Sequence, residues 1–252
     1  AAHAKRFEGD VPTPTCVLLT AGPAAGKTCL MSQLVMHIVP TESTAPPQAA
    51  KERRVQLNVP PSATVASTGA FIPIMVRVQD LQRRLLADEE AFAHSWNWVD
   101  AYLASVHGSN SEMYRFLRQA MMARRALLLL DGLDEGGRAR EQIERHVTEV
   151  LAVQGHVMLI TSRPNGVNEA LFTMPGFHTL QLRPLTDAQQ AAVVDRRLAS
   201  NAKGEDDDGG QTAALLMDYI RTKVPRDAET GDRVTGNPLM LSMVMSIFES
   251  QK

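Results

Sequence analysis

The stretch from Cys16 to Leu34 constrains the fold more than any other part of the chain, because it joins two different hydrophobic patterns through a turn of small residues. Residues 16–19 are continuously apolar, as in a buried strand, whereas Leu30, Leu34 and Ile38 follow the spacing of one helix face. The stretch therefore predicts a strand, a tight loop and a helix, in that order.

The loop ends in Gly26-Lys27-Thr28, the core of a phosphate-binding pattern. Backbone N–H groups and a helix N-terminus can bind a polyphosphate only where side chains stay small. The Lys27 ammonium can bind the outer phosphates, and the Thr28 hydroxyl is a hard oxygen suited to Mg²⁺. The same triplet occurs in ordinary turns, but its place between a strand and an amphipathic helix favours the phosphate loop. The predicted nucleotide-binding residues are Gly22, Pro23, Ala24, Ala25, Gly26, Lys27, Thr28 and Cys29.

Three acids follow the most hydrophobic run of the chain, residues 126–130, in the sequence Asp131-Gly132-Leu133-Asp134-Glu135. The carboxyl ends of parallel strands face the ligand crevice. We therefore expect Asp131 to ligate Mg²⁺ together with Thr28, and either Asp134 or Glu135 to orient or deprotonate an attacking water. The alternative is an acidic cap on a helix predicted at 138–153, which one acid would fit but three fit poorly.

A further strand, predicted at 156–160, is followed by Thr161-Ser162-Arg163-Pro164. A guanidinium group can bind two phosphate oxygens at once. Arg163 is therefore predicted to contact the γ-phosphate from a neighbouring strand end.

Strand and helix patterns alternate up to Pro184, and only helical patterns follow. This change predicts a nucleotide-binding domain over 1–183 and a helical domain over 184–252, with the Pro-, Ser- and Thr-rich segment 41–69 as a surface insert. Pro73 predicts an edge strand, or an early position in the strand, at 71–78. The other predicted elements are a strand at 178–182, a helix starting at the capping box 186–189, and helices at 81–87, within 89–107, and at 112–125, 212–224 and 239–249.

Composition excludes several classes of protein. The chain has 252 residues, 44% of them apolar, and a net charge of −2, so no overall basic field favours nucleic acid or anionic membranes. No run approaches the roughly 20 apolar residues that span a bilayer. The two cysteines, Cys16 and Cys29, are predicted to be buried hydrophobes in a reducing, cytoplasmic compartment.

The chain resembles a NACHT domain, a branch of the signal-transduction ATPases with numerous domains. The resemblance depends on four features in this order: the phosphate loop, the acidic box at 127–135, Arg163 and Gly236-Asn237-Pro238. The segments 72–81 and 182–186 are also similar to that family. Ala21 and Ala24 stand where family members often have glycine, which affects nucleotide affinity more than fold.

The resemblance implies a P-loop NTPase of the α/β class, with a parallel five-stranded sheet sandwiched by helices and followed by a small all-helical domain. It implies a slowly hydrolysing ATP/ADP switch with Mg²⁺, Arg163 as sensor of the γ-phosphate, and contact between Pro238 and adenine. It also implies self-association, and downstream winged-helix and sensor domains that this chain lacks.

Two alternatives remain open. A GTP-binding switch would use the Asp-x-x-Gly pattern at 134–137, but no Asn-Lys-x-Asp motif follows. A scaffold that binds nucleotide without hydrolysing it would not need the acids after Asp131. A small-molecule kinase is disfavoured because no lid or acceptor site is recognisable.

The last predicted helix has almost no polar face, since apolar residues recur throughout 239–248. We expect a domain beyond the chain to cover it. The absence of an initiator methionine and the abrupt end at Lys252 likewise suggest a fragment of a longer signalling protein.

Overall fold

The computed structural model describes residues 15–39, 71–201, 209–228 and 231–250, without the side chains of 199–201 and 209–211. The interpretations of 1–14, 41–69 and 203–208 lie outside these residues. The chain divides into two compact units. Among the described residues, the sheet unit comprises those of 15–20 and 27–181, and the helical unit comprises those of 21–26 and 182–250.

The sheet unit is built on five parallel strands in the order β2-β3-β4-β1-β5, which confirms the predicted five-stranded parallel sheet. Strand β4 lies between β1 and β3, so the ends of these three strands meet at one edge. Pro73 lies in β2, an edge strand, where a missing N–H is tolerated. The strands are β1 (Cys16–Thr20), β2 (Ile72–Arg77), β3 (Ala126–Asp131), β4 (Val157–Ser162) and β5 (Phe177–Gln181).

The core of the sheet unit forms around β3, where Leu128, Leu129 and Leu130 are each at most 1% exposed. A run of leucines without alternation is typical of a parallel strand buried on both faces. The helices around the sheet are α1 (Lys27–Ile38), α2 (Val78–Ala87), α3 (Glu89–Ala93), α4 (Trp98–His107), α5 (Glu112–Met122) and α6 (Arg140–Arg145).

Two predicted helices differ from the structure in their bounds. The helix predicted within 89–107 is present as α4, which Asn97 starts by accepting a hydrogen bond from the Asp100 N–H at 2.9 Å, and the short helix α3 precedes it. The helix predicted from Arg138 begins at Arg140 after two short 3₁₀ turns, and it continues as a π-helix over His146–Leu151.

The sequence pattern predicts that Met113, Phe116, Leu117 and Met121 face inward on α5, and the structure differs from this prediction. Met113 and Phe116 are 54% and 52% exposed, whereas Tyr114 and Met121 are buried. The Tyr114 hydroxyl donates to the buried Asp100 carboxylate at 3.1 Å, which fixes the rotation of the helix. Cys16 is buried as predicted, but Cys29 is exposed on α1.

The helical unit contains α7 (Asp187–Asn201), α8 (Gly209–Lys223) and α9 (Pro238–Ser250). The predicted capping box is present, since Gln189 Oε1 accepts from Thr186 N at 2.9 Å and Gln189 N donates to Thr186 Oγ1 at 3.3 Å. On α8, Leu215 and Tyr219 are exposed, whereas Leu216 and Ile220 are buried. The core of the unit consists mainly of Val194, Leu198, Leu216, Ile220, Leu241 and Met245.

Helix α9 buries one side only. Leu241 and Met245 are 1% exposed, whereas Leu239, Met243 and Ile247 are about half exposed among the described residues. Coverage of this face by a further domain stays a prediction. Within the described ranges, no helix combines the length and apolar character needed to cross a membrane.

Two histidines make the sheet unit sensitive to acid. His156 is fully buried with both ring nitrogens unbonded, and His146 Nε2 accepts from Trp98 N at 2.9 Å. Burial lowers the pKa of each histidine from 6.5 to about 4. Because these pKa values are lower in the folded state, the unfolded chain binds more protons, and stability is lost as the pH falls from above 6.5 towards 4.

We expect the free energy of unfolding to fall by about 2 kcal/mol between pH 7 and pH 5 on account of His156 alone. Urea denaturation of the wild type and of His156→Phe at both pH values checks this. Phenylalanine keeps an aromatic ring beside Trp96, 5.8 Å from the imidazole, and removes the titration. Equal pH dependence in the two proteins would contradict the assignment.

Candidate functional site

The two predicted metal-binding residues are hydrogen-bonded to each other. Thr28 lies in the first turn of α1 and Asp131 ends β3. The Thr28 hydroxyl donates to Asp131 Oδ2 at 2.7 Å, across 103 residues of sequence. A hydroxyl oxygen and a carboxylate thus lie side by side at the strand edge.

The second oxygen of Asp131 is bound by Thr161, which the sequence analysis did not single out. Thr161 Oγ1 donates to Asp131 Oδ1 at 2.7 Å and accepts from Gly132 N at 2.9 Å. Thr161 is fully buried, and Asp131 is 9% exposed. Its position at the end of the strand that precedes Arg163, together with its hydroxyl group, could have indicated a role for Thr161 from the sequence.

Asp134 and Arg163, assigned separate roles from the sequence, form an ion pair. Arg163 Nε lies 3.1 Å from Asp134 Oδ2, and Arg163 N donates to Asp134 Oδ1 at 3.1 Å. Both carboxylate oxygens of Asp134 are therefore engaged. The Asp134 side chain is 11% exposed, whereas the Arg163 side chain is 55% exposed.

Gly166 brings the loop after Arg163 against Asp134. A Cβ atom built on Gly166 would lie 2.5 Å from Asp134 Cβ, so no larger residue fits without a shift of the backbone. Gly166 is not recognisable as a site residue from the sequence, because no local pattern indicates a close approach between two loops.

Glu135, the other candidate for orienting water, is exposed. Gly132 adopts a φ of +76°, a conformation that favours glycine, and its carbonyl accepts from Glu135 N at 2.8 Å. The Glu135 side chain lies beside Gly132, and among the described residues its carboxylate forms no ion pair.

Lys27, the first residue of α1, is partly buried. Burial lowers the pKa of its ammonium group below the usual 10.5, while the nearby carboxylates, Asp134 first, act in the opposite direction. Arg163 lowers this pKa further. The predicted lysine, acids and arginine are thus close enough to interact electrostatically.

The loop before Lys27 belongs to the helical unit, together with Gly236-Asn237-Pro238. Asn237 Nδ2 donates to the carbonyl oxygen of Pro23 at 3.0 Å. A Cβ atom built on Gly26 would lie 3.9 Å from Pro238 Cγ, within van der Waals contact. From the sequence, Pro238 is predicted to contact adenine, whereas Asn237 is part of the same motif without a predicted role.

Ala24 adopts a φ of +57°, in the left-handed region. This conformation is costly for alanine, by roughly 1–2 kcal/mol, and nearly free for glycine. The departure from glycine noted in the sequence thus falls where glycine would be the less strained residue.

The donor set fits magnesium that arrives with phosphate. Across the residues described, no group of three or more His, Cys, Asp or Glu side chains could hold a metal ion. Mg²⁺ is usually bound by one or two carboxylates together with substrate phosphates and water, and Thr28 and Asp131 supply oxygen donors of that kind.

The chain has a P-loop NTPase fold of the α/β class. Three features define it: the sheet order, the loop between β1 and α1, and the paired Thr28 and Asp131.

No family model and no curated protein matches the chain. Among solved structures, the chain is similar to a DNA replication initiation factor, at 10% identity and a TM-score of 0.47, over 95% of this chain and 56% of that one.

Two further solved structures are similar. One is a signal-transduction ATPase with numerous domains and a tetratricopeptide repeat sensor from Pyrococcus horikoshii, at 12% identity and a TM-score of 0.40, over 92% of this chain and 28% of that one. The other is a chain of the HORMA:CdnC:Trip13 complex of E. coli MS115-1, at 11% identity and a TM-score of 0.46, over 98% of this chain and 80% of that one.

The chain thus spans about half the length of the first of these structures and just over a quarter of the second. All three TM-scores lie below 0.5, so the fold assignment depends on the sheet order and the site geometry.

Proposed function

We propose that this chain is an ATP-binding switch of the NACHT type that hydrolyses ATP slowly to ADP and phosphate. The contact between Thr28 Oγ1 and Asp131 Oδ2 carries the proposal. It joins the residue that follows the phosphate-loop lysine to the acid at the end of the leucine strand. Few functions other than binding a metal-chelated polyphosphate need this pair at the edge of a parallel sheet.

The remaining residues have complementary roles. The backbone of residues 22–26 and the Lys27 ammonium bind the phosphates, and Thr28 and Asp131 bind Mg²⁺. The bound ion supplies charge neutralisation at the β- and γ-phosphates. Pro238 lies against Gly26 and contacts the base. Cys29 follows Thr28 in the first turn of α1, where its backbone N–H adds to the phosphate cradle.

Glu135 is the better candidate for orienting the attacking water. Asp134 already accepts one hydrogen bond from the Arg163 N–H and forms an ion pair with the Arg163 guanidinium group, whereas Glu135 is exposed. The Arg163 side chain of this ion pair is more than half exposed, and exposed ion pairs contribute little to the free energy of folding. A γ-phosphate can therefore compete with Asp134 for the guanidinium group.

ATP is favoured over GTP because the sequence contains no Asn-Lys-x-Asp motif for guanine. We expect ATP to displace a fluorescent adenine nucleotide at a concentration at least about tenfold lower than GTP does, a difference of about 1.4 kcal/mol. A competition titration in Mg²⁺ measures both values. Displacement by GTP at equal or lower concentration would identify a guanine-nucleotide switch instead.

We further propose that the longer protein self-associates and that its downstream domains cover the exposed side of α9. The exposed apolar residues Leu239, Met243 and Ile247 support this part of the proposal. The mass of the longer protein in solution, measured with ATP and with ADP, tests it.

A further inference from the structure

We infer that Thr161 is a positioning residue for Mg²⁺, because it orients the Asp131 carboxylate that the proposed function assigns to the metal. The inference rests on that function. It concerns a residue that contacts neither phosphate nor metal and acts only through Asp131.

The direction of the hydrogen bonds at Thr161 follows from the groups involved. The Gly132 amide can only donate, so Thr161 Oγ1 accepts at 2.9 Å and its own proton is free for Asp131 Oδ1 at 2.7 Å. Hydrogen bonds in such a chain strengthen one another. The result is one ordered path from the Gly132 N–H through Thr161 to the carboxylate.

Asp131 needs this support on the β4 side, because the pairing with β4 ends before it although Asp131 still pairs with Arg77 of β2. The last paired residues of β3 and β4 are Leu130 and Ile160. Beyond them the Thr161 hydroxyl, rather than the backbone ladder, joins the two strand ends. Thr161 also pairs with Leu19 of β1, the strand that leads into the phosphate loop. The side chain therefore fixes the acid relative to that strand.

Fixing one carboxylate oxygen decides where the other points. Rotation about the terminal bond of an aspartate is soft, so an unsupported carboxylate samples a broad range of orientations. With Oδ1 bound to Thr161, Oδ2 is held at 2.7 Å from the Thr28 hydroxyl. Residues that orient metal ligands in this way typically change metal affinity 10–100-fold when mutated.

The test compares the Mg²⁺ dependence of the ADP-induced rise in unfolding temperature among variants. Thr161→Val keeps the shape and removes both hydrogen bonds, and Thr161→Ser keeps the hydroxyl. We expect the Mg²⁺ concentration at half effect to rise at least about tenfold in the valine variant and to stay near the wild type in the serine variant.

A matched control separates orientation from stability. Thr148 is also a buried threonine, and its hydroxyl donates to the carbonyl oxygen of Glu144 at 3.1 Å. We expect Thr148→Val to lower the unfolding temperature without changing the Mg²⁺ concentration at half effect.

The possible outcomes distinguish the inference from the proposed function. An unchanged half-effect concentration in a folded Thr161→Val protein overturns the inference. If Thr161→Val does not fold, Thr161→Cys replaces it in the test, because a thiol is only a weak hydrogen-bond donor. We expect Thr161→Cys to raise the Mg²⁺ concentration at half effect several-fold. An unchanged concentration overturns the inference equally. If ADP and Mg²⁺ do not stabilise even the wild type, the proposed function fails.

Discussion

Lys27→Ala is expected to abolish the stabilisation of the protein by Mg·ATP. In the wild type, nucleotide at about 100 times its Kd adds roughly 2.7 kcal/mol, which raises the unfolding temperature of a chain of this size by about 5–10 °C. Without the ammonium group, a triphosphate meets the carboxylates of Asp131, Asp134 and Glu135 with no cation from α1 to offset them.

Differential scanning fluorimetry with and without Mg·ATP measures this effect, and each variant is compared with its own nucleotide-free form. Lys223→Ala is the matched control, because Lys223 is exposed at the end of α8. The control is expected to keep the full rise. A rise of equal size in Lys27→Ala would show that the phosphate loop does not bind the nucleotide, and it would contradict the proposed function.

Glu135→Gln is expected to slow hydrolysis by roughly 10²–10⁴-fold while leaving the nucleotide-induced stabilisation in place. Glutamine keeps the size of the side chain but cannot accept a proton from water. Phosphate release in a single turnover, with protein in excess over ATP, measures the rate even when it is low.

Two variants complete this test. Glu141→Gln changes an exposed glutamate in the first turn of α6 and is expected to hydrolyse ATP at the wild-type rate. Asp134→Asn weakens the ion pair with Arg163 and is expected to slow hydrolysis less than Glu135→Gln does. If Asp134→Asn abolishes phosphate release and Glu135→Gln does not, the water is oriented by Asp134. If the wild type releases no phosphate although it binds ATP, the chain is a nucleotide-bound scaffold.

Local patterns in the sequence were sufficient to predict the strands, the loop and helix that follow β1, and the acid at the end of β3. A buried parallel strand needs a continuous apolar run, as in residues 126–130, and a phosphate loop needs small residues before its lysine. These requirements act on neighbouring residues, so they can be recognised without knowing what packs against them. The same holds for the capping box at Thr186 and for Pro73 in an edge strand.

The burial of side chains that depends on a partner distant in sequence was predicted less accurately. The inward face of α5 is decided by the contact of Tyr114 with Asp100, so the apolar Met113 and Phe116 point outwards. On α8, Leu215 is exposed, and Cys29 on α1 is exposed although cysteine is usually buried. The hydrophobic pattern of a segment predicts whether it is a helix or a strand, but the element packed against it determines which face is buried.

The sequence by itself determined the set of candidate site residues: Lys27, Thr28, Asp131, the two following acids and Arg163. Only the tertiary structure decided how they combine. It pairs Asp134 with Arg163, places Gly166 against Asp134, and brings Thr161 to the second oxygen of Asp131. The physical reason is that hydrogen-bond partners 29 or 30 residues apart are selected by strand order, here the position of β4 beside β3, which no local pattern specifies.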